Sequence, residues 1–171
     1  TSAKAAMAAL GLDKLIFLPA AVPPHKELPQ GSPGAEQRLE MMTLAADALL
    51  EPEKTAVSDM ELRRGGKSYT VDSLRQLREQ YSRDELWLLM GTDMFLSLQN
   101  WREPAAICAM AHLATFAREE SDRLEQLEKQ GNYLAETFGA ESRVLSLPRV
   151  TPVSSTQLRE KLAQGEGSPY L

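Results

Sequence analysis

Residues 86–90, LWLLM, run directly into residues 91–101, GTDMFLSLQNW, and the reading of this stretch decides the fold. Five consecutive apolar residues without alternation suit a strand that a parallel sheet buries on both faces, so a central strand is predicted here. Short helical patterns near 93–99 and 103–110 follow it, and strand-like and helix-like runs alternate outward in both directions. Upstream, the spacing of Val71, Leu74 and Leu77 predicts a helix from about Thr70 to Tyr81. Before it TAVSDMEL (55–62) alternates as a strand, RRGGK (63–67) reads as a loop, and Leu39, Met42, Ala46 and Leu49 mark a helix over 35–50. KLIFLPA (14–20) is a short buried strand leading into a Pro- and Gly-rich loop over 19–34, and TSAKAAMAAL (1–10) reads as a helix stopped by Gly11. Downstream come the strand HLATF, a charged crossover helix from Ser121 to Phe138, the strand RVLSL and a last helix from Ser155 to Ala163. The expected fold class is α/β: a Rossmann-like, doubly wound parallel sheet with helices on both faces. In such sheets ligands sit beyond the carboxyl ends of the strands.

The counts narrow the function. A length of 171 residues predicts one domain over 1–171. With 43% apolar and 25% charged residues, disorder and membrane spanning are both excluded. The lone cysteine, Cys108, cannot pair within the chain, and with only His25 and His112 it cannot complete a structural zinc site, so no metal ligands are assigned. A net charge of −5 argues against nucleic acid as a partner. A reducing compartment, the cytoplasm, fits the cysteine usage, and AAMAAL is too short an apolar run for a signal segment. The chain opens in mid-helix and closes at Ser168-Pro169-Tyr170-Leu171 just after a helical pattern, so the domain is expected to be incomplete at its N-terminus and at its C-terminus.

Several common signatures fail on inspection. GKS at 66–68 mimics the end of a P-loop, yet the position five before Gly66 is Glu61 rather than glycine. GxGxxG and GxSxG are both absent, and neither histidine has a nucleophile beside it. TPVSSTQLRE (151–160) opens a helix with Ser154 and Gln157 as a capping box and with the hydroxyls of Ser155 and Thr156 in the first turn. Such an end suits a phosphate, with Arg159 one turn on to join it, although an ordinary capped surface helix explains the same residues. Gly91 leaves room for a ligand against the backbone and Asp93 is placed to accept from a ribose diol, or else to cap a helix. Trp101, in the polar setting of Asn100 and Arg102, reads either as a stacking plate for a cationic ring or as a core side chain. Ser68 and Thr70 are candidate caps at a second helix start that suits an anion, and His25 and Lys26 end a loop stiffened by Pro23 and Pro24.

Taken in this order, the segments resemble the bacterial nicotinate-nucleotide adenylyltransferases of the nucleotidylyltransferase α/β superfamily. The resemblance rests on GLDKLIFLPA with PPHK, on Arg38 and Met41, on VSDMELRRGGKSYTVDSL, on GTDMFLSLQNW and on VSSTQLREKL. It implies transfer of AMP from ATP to nicotinic acid mononucleotide, giving deamido-NAD and pyrophosphate, by direct attack of the mononucleotide phosphate on the α-phosphorus with Mg2+ assisting. Carried over by position, Ser155, Thr156 and Arg159 hold ATP phosphates, and Gly91 and Asp93 the adenosine ribose. Trp101 stacks on the pyridinium ring, the backbone N–H groups of Thr70 and Arg102 receive the nicotinate carboxylate, and His25 and Lys26 lie near the substrate phosphates.

One departure bears on activity. The superfamily's GxFxPxHxGH loop, which follows its first strand, is absent, since neither His25 nor His112 stands in an H-x-G-H segment. No catalytic residue is therefore assigned within 1–171, and the chain by itself is expected to be inactive or weakly active. The strand missing with that loop is central, which predicts two half-sheets without their shared partner. Two alternatives stay open: a non-catalytic nucleotide-binding module, and a sister adenylyltransferase acting on nicotinamide mononucleotide or a pantetheine phosphate. No membrane partner is expected, and the oligomeric state, a homo-oligomer included, is left open.

Overall fold

A computed structural model of the chain describes residues 2–24, 31–49, 51–117 and 121–146. Helix α1 (Ser2–Leu10) ends where Gly11 turns left-handed at φ 64°, and the Leu12 N–H reaches back to the Met7 carbonyl at 3.0 Å, closing the helix. Strand β1 (Leu15–Phe17) follows, then α2 (Ala35–Leu49), β2 (Thr55–Val57), α3 (Met60–Arg64) and α4 (Thr70–Gln80). The remainder is β3 (Trp87–Met90), α5 (Thr92–Leu96), α6 (Pro104–Met110), β4 (His112–Ala117), α7 (Ser121–Phe138) and β5 (Ser142–Ser146).

Among the described residues all the strand pairs are parallel, as the alternation requires, and they fall into two sheets. In one, β1 pairs with β2 in the register Leu15 to Thr55. In the other, β4 lies between β3 and β5, with Trp87 opposite His112 and Leu113 opposite Ser142. Between β1 and β3 runs a cleft of about 490 Å³ walled by Leu15–Leu18 and Leu86–Leu89, with α4 supplying Thr70, Ser73, Leu74 and Leu77.

Two expectations are corrected. Among the described residues the LWLLM strand is not central: it is the edge of its sheet beside the cleft, and Trp87, Leu88 and Leu89 are only half-buried. Its continuous apolar run nevertheless reflects cover on both faces, as read from the sequence. Leu88 and Met90 face the core that α4, α5, α6 and α7 build from Val71, Phe95, Ile107 and Leu134, while Trp87 and Leu89 face Ala6 and Leu10 of α1 across the sheet. The run thus reports helices above and below rather than strands to left and right. TAVSDMEL is also not one strand. The ladder stops at Val57, and from Met60 the chain is helical, with the Met60 N–H bonding the Ser58 hydroxyl at 3.3 Å and Asp59 pairing one turn on with Arg63 at 2.9 Å. Apparent alternation over eight residues was a three-residue strand and the first turn of a helix.

The α7 helix spans the residues expected of it and is mostly solvated, with Leu127 and Leu134 fully buried against the sheet. Among the described residues no helix is long and apolar enough to cross a membrane. Phe95 of α5, fully buried in the larger core, is the keystone of the segment that follows β3. Replacing it by alanine is expected to lower stability by about 3–5 kcal/mol, read as a fall in the urea midpoint at unchanged slope.

Candidate active site

Three chain segments lead from the carboxyl ends of β1, β2 and β3. After β1 the chain is extended, and Arg38 of α2 fixes it by donating to the carbonyls of Pro33 (2.7 Å), Ala20 (2.6 Å) and Ala21 (3.0 Å). Ser68, buried, accepts the Ala21 N–H at 2.9 Å, while its own N–H bonds the Val22 carbonyl at 2.9 Å. Ser68 is thus no helix cap: it stitches the loop after β1 to the loop before α4. Gly65 and Gly66 make that second loop possible, because φ values of 70° and 69° fall where a side chain is strained.

Helix α4 starts at Thr70 behind Tyr69, with no side-chain cap. The N–H groups of Thr70 and Val71, its first two helical residues, have no carbonyl within the helix to bond. One turn further, Ser73 is buried and donates to the Glu61 carboxylate at 2.5 Å while accepting from Arg64 at 2.9 Å. Glu61 is itself only 6% exposed, so α3 and α4 are pinned together by a buried carboxylate whose positive counterpart reaches it through a hydroxyl.

Beyond β3, Gly91 has ordinary extended backbone (φ −73°, ψ 161°), and an added Cβ would meet nothing within 4 Å. Conformation does not demand glycine there; open space beside the backbone is what the residue leaves. Asp93 is not the cap of α5. It lies inside the first turn, exposed, with its carboxylate making no hydrogen bond or ion pair among the described residues. The Thr92 hydroxyl ties this turn to the end of β4 through the Phe116 carbonyl at 2.8 Å.

Trp101 is half-buried against the core, its ring N–H 3.4 Å from the Ser97 hydroxyl and its backbone N–H bonded to the Leu98 carbonyl at 3.0 Å. One side of the indole is therefore core. Arg102 is exposed, and its guanidinium lies 4.7 Å from the centre of the Tyr69 ring, which brings the start of α4 and the Trp101–Arg102 turn to one place. Glu103 then takes a left-handed backbone (φ 53°, ψ 58°), a conformation that costs a non-glycine residue about 1–3 kcal/mol. Its carboxylate receives both arms of Arg75 on α4, at 3.3 and 2.5 Å. Hydrogen bonding to Arg75 holds the Glu103 carboxyl below its ordinary value, and the same bond raises Arg75.

Of the residues singled out from sequence, Gly91 and Asp93 directly follow β3, Trp101 and Arg102 lie in the turn before α6, and Thr70 starts α4 beside Tyr69, whose ring meets Arg102. His25, Lys26, Ser155, Thr156 and Arg159 lie outside the described residues. The sequence reading missed the Glu61–Ser73–Arg64 relay and the Arg75–Glu103 pair, whose members are 12 and 28 positions apart and carry no local signature. Among the described residues no three His, Cys, Asp or Glu side chains converge to hold a metal. Cys108 is a core side chain whose thiol is raised by burial, which suits packing and not nucleophilic attack.

A cytidylyltransferase-like family model matches residues 1–161 of the chain. A probable nicotinate-nucleotide adenylyltransferase of Trichlorobacter lovleyi is 37% identical, over 99% of this chain and 83% of the relative. A probable enzyme of the same name from Syntrophotalea carbinolica is 32% identical, over 94% of this chain and 77% of its own length. In fold, the chain is similar to Plasmodium falciparum nicotinic acid mononucleotide adenylyltransferase complexed with NaAD, with a TM-score of 0.64 at 14% identity, over 88% of this chain and 69% of that one.

Two outcomes are expected at this site. Ser73→Ala leaves the Glu61 carboxylate buried without its donor and should cost about 1–3 kcal/mol, whereas Glu61→Gln keeps an acceptor for the hydroxyl and should cost less, both read by urea unfolding. The Arg75–Glu103 pair should be intact at neutral pH and above 4.5, the ordinary carboxyl value, and be lost as acid titrates through the lowered Glu103 value. NMR titration of the Glu103 carboxyl checks the sign.

Proposed function

This chain belongs to the cytidylyltransferase-like family and, within it, to the nicotinate-nucleotide adenylyltransferases, and from that premise we propose how its residues serve transfer of AMP from ATP to nicotinic acid mononucleotide. An oxygen of the mononucleotide phosphate bonds to the α-phosphorus of ATP, the bond from that phosphorus to the bridging oxygen breaks, and pyrophosphate leaves with the electron pair. No covalent enzyme intermediate is needed, which agrees with a core thiol and with histidines that lack a nucleophile. Catalysis of such a step is positioning and charge stabilisation.

The observation that carries the reading is the junction of α4 with the Trp101–Arg102 turn through the Tyr69–Arg102 stack. In this proposal the N–H groups of Thr70 and Arg102 receive the nicotinate carboxylate while the exposed side of Trp101 stacks on the cationic ring. Asp93 accepts from the ribose diol of adenosine in the space that Gly91 leaves. Ser155, Thr156 and Arg159 take the ATP phosphates, and His25 and Lys26 those nearer the mononucleotide. Mg2+ enters only as the companion of ATP: without a protein donor set among the described residues, no step is assigned to it. The lone cysteine suits a reducing cytoplasm, where we place the protein.

Binding is the cleaner test, because residues 1–171 contain no H-x-G-H segment and loss of one charge-stabilising donor costs about 10²–10³ in rate. Isothermal titration should find nicotinic acid mononucleotide bound about 10–100-fold tighter than the nicotinamide form, since the neutral amide turns an N–H toward N–H donors. Trp101→Ala should weaken binding of the acid form by about 3–30-fold. Equal affinities, or preference for the nicotinamide form or a pantetheine phosphate, would contradict the assignment. Pyrophosphate release with ATP separates turnover from nucleotide binding alone.

A further inference from the structure

We propose that Arg75 and Glu103 are positioning residues for the mononucleotide: their ion pair holds the Trp101–Arg102 turn at a fixed distance from the start of α4. The inference rests on the reading above, in which the acceptors of the nicotinate ring and carboxylate come from those two segments. Three observations carry it. Glu103 immediately follows Arg102 and has a left-handed backbone that a glutamate does not adopt unaided, with Pro104 behind it to restrict the choice further. Both its carboxylate oxygens are engaged by the two terminal nitrogens of one guanidinium, a geometry with little freedom of orientation. That guanidinium stands on α4, five residues after Thr70, and is itself steered by Asp72 at 3.4 Å.

The pair is exposed on both sides, so as a contribution to global stability it is worth little. Its geometry is a different matter. The peptide that links Arg102 to the strained Glu103 follows the indole of Trp101, and the Glu103 carbonyl opens α6 by accepting the Ile107 N–H at 3.2 Å. Fixing Glu103 therefore fixes the direction in which the chain leaves Trp101 and the heading of the Arg102 N–H, which makes no hydrogen bond among the described residues. Arg102 itself is held by the Tyr69 ring and lies 3.8 Å from the same Glu103 carboxylate. The start of α4 and the Trp101–Arg102 turn are thus tied twice, by Tyr69–Arg102 and by Arg75–Glu103, with Thr70 between the two ties in sequence.

The test is titration of the whole chain with nicotinic acid mononucleotide, nicotinamide mononucleotide and ATP for wild type, Arg75→Ala, Glu103→Gln, Glu103→Gly, the double variant Arg75→Ala/Glu103→Gln and the reversed pair Arg75→Glu/Glu103→Arg. Each single loss should weaken nicotinic acid mononucleotide by about 3–30-fold and narrow the preference over the nicotinamide form, with ATP affinity within about twofold of wild type. The double variant should be no worse than either single one, and the reversed pair should recover part of the loss. Glu103→Gly relaxes the backbone while deleting the carboxylate, so it should fall with the other losses. Wild-type affinity in Glu103→Gly, or singles whose effects add in the double variant, or equal loss of ATP and mononucleotide, overturns the inference while leaving the proposed function intact. Failure of the wild type to bind nicotinic acid mononucleotide overturns both, and thermal unfolding of each variant within a few degrees of wild type keeps the result from being a folding defect.

Discussion

The first turn of α4 is held by bonds to three other parts of the chain, and the candidate site depends on that restraint. Glu61 reaches Ser73 from α3, the Val22 and Ala21 backbone meets Ser68 just before the helix, and Arg102 and Glu103 approach Tyr69 and Arg75 from the turn after β3. A helix start offers unbonded N–H groups wherever it occurs. What this one adds is a fixed direction, and an amide donor discriminates between a carboxylate and a carboxamide only if it cannot turn away.

The restraint is costly in local terms and is offset by packing. Glu61 is a buried carboxylate, Glu103 a left-handed residue, and Gly65 and Gly66 give up chain entropy to make the hinge between α3 and α4. Behind them Val71, Leu74, Phe95 and Leu98 form part of a dry core that α7 closes with Leu127 and Leu134. The Gln130 side chain extends that support outward, bonding the Phe95 carbonyl at 3.2 Å and the Gln99 amide oxygen at 2.7 Å. The larger core thus lies under the turn that carries Trp101, while β1 and β3 face each other across the cleft between the sheets.

The α/β alternation was legible because each helix carries its own periodicity, and α4 and α7 were bounded to within a residue or two. The order of strands was not. Residues 86–90 are apolar because helices cover both faces, and nothing in five hydrophobic side chains tells an edge from a centre. DMELRR escaped notice as a helix because its signal, Asp59 to Arg63 and a glycine stop, is only one turn long. In the candidate site, Gly91, Asp93 and Trp101 were visible as residue types that suit ligands. Arg75, Glu103, Glu61 and Ser73 were not, since their meaning lies in pairings that the fold creates. Ser68 was read as a cap because serine before a helix usually is one; the chain used its hydroxyl across 47 positions instead.

The central claim is that two backbone amides, one at the start of α4 and one after Trp101, recognise the mononucleotide. Amide-resolved NMR during titration with nicotinic acid mononucleotide tests it most directly. The Thr70 and Arg102 signals should move with the bound fraction and respond far less to the nicotinamide form at equal occupancy. Saturable binding that leaves both signals unmoved would contradict it.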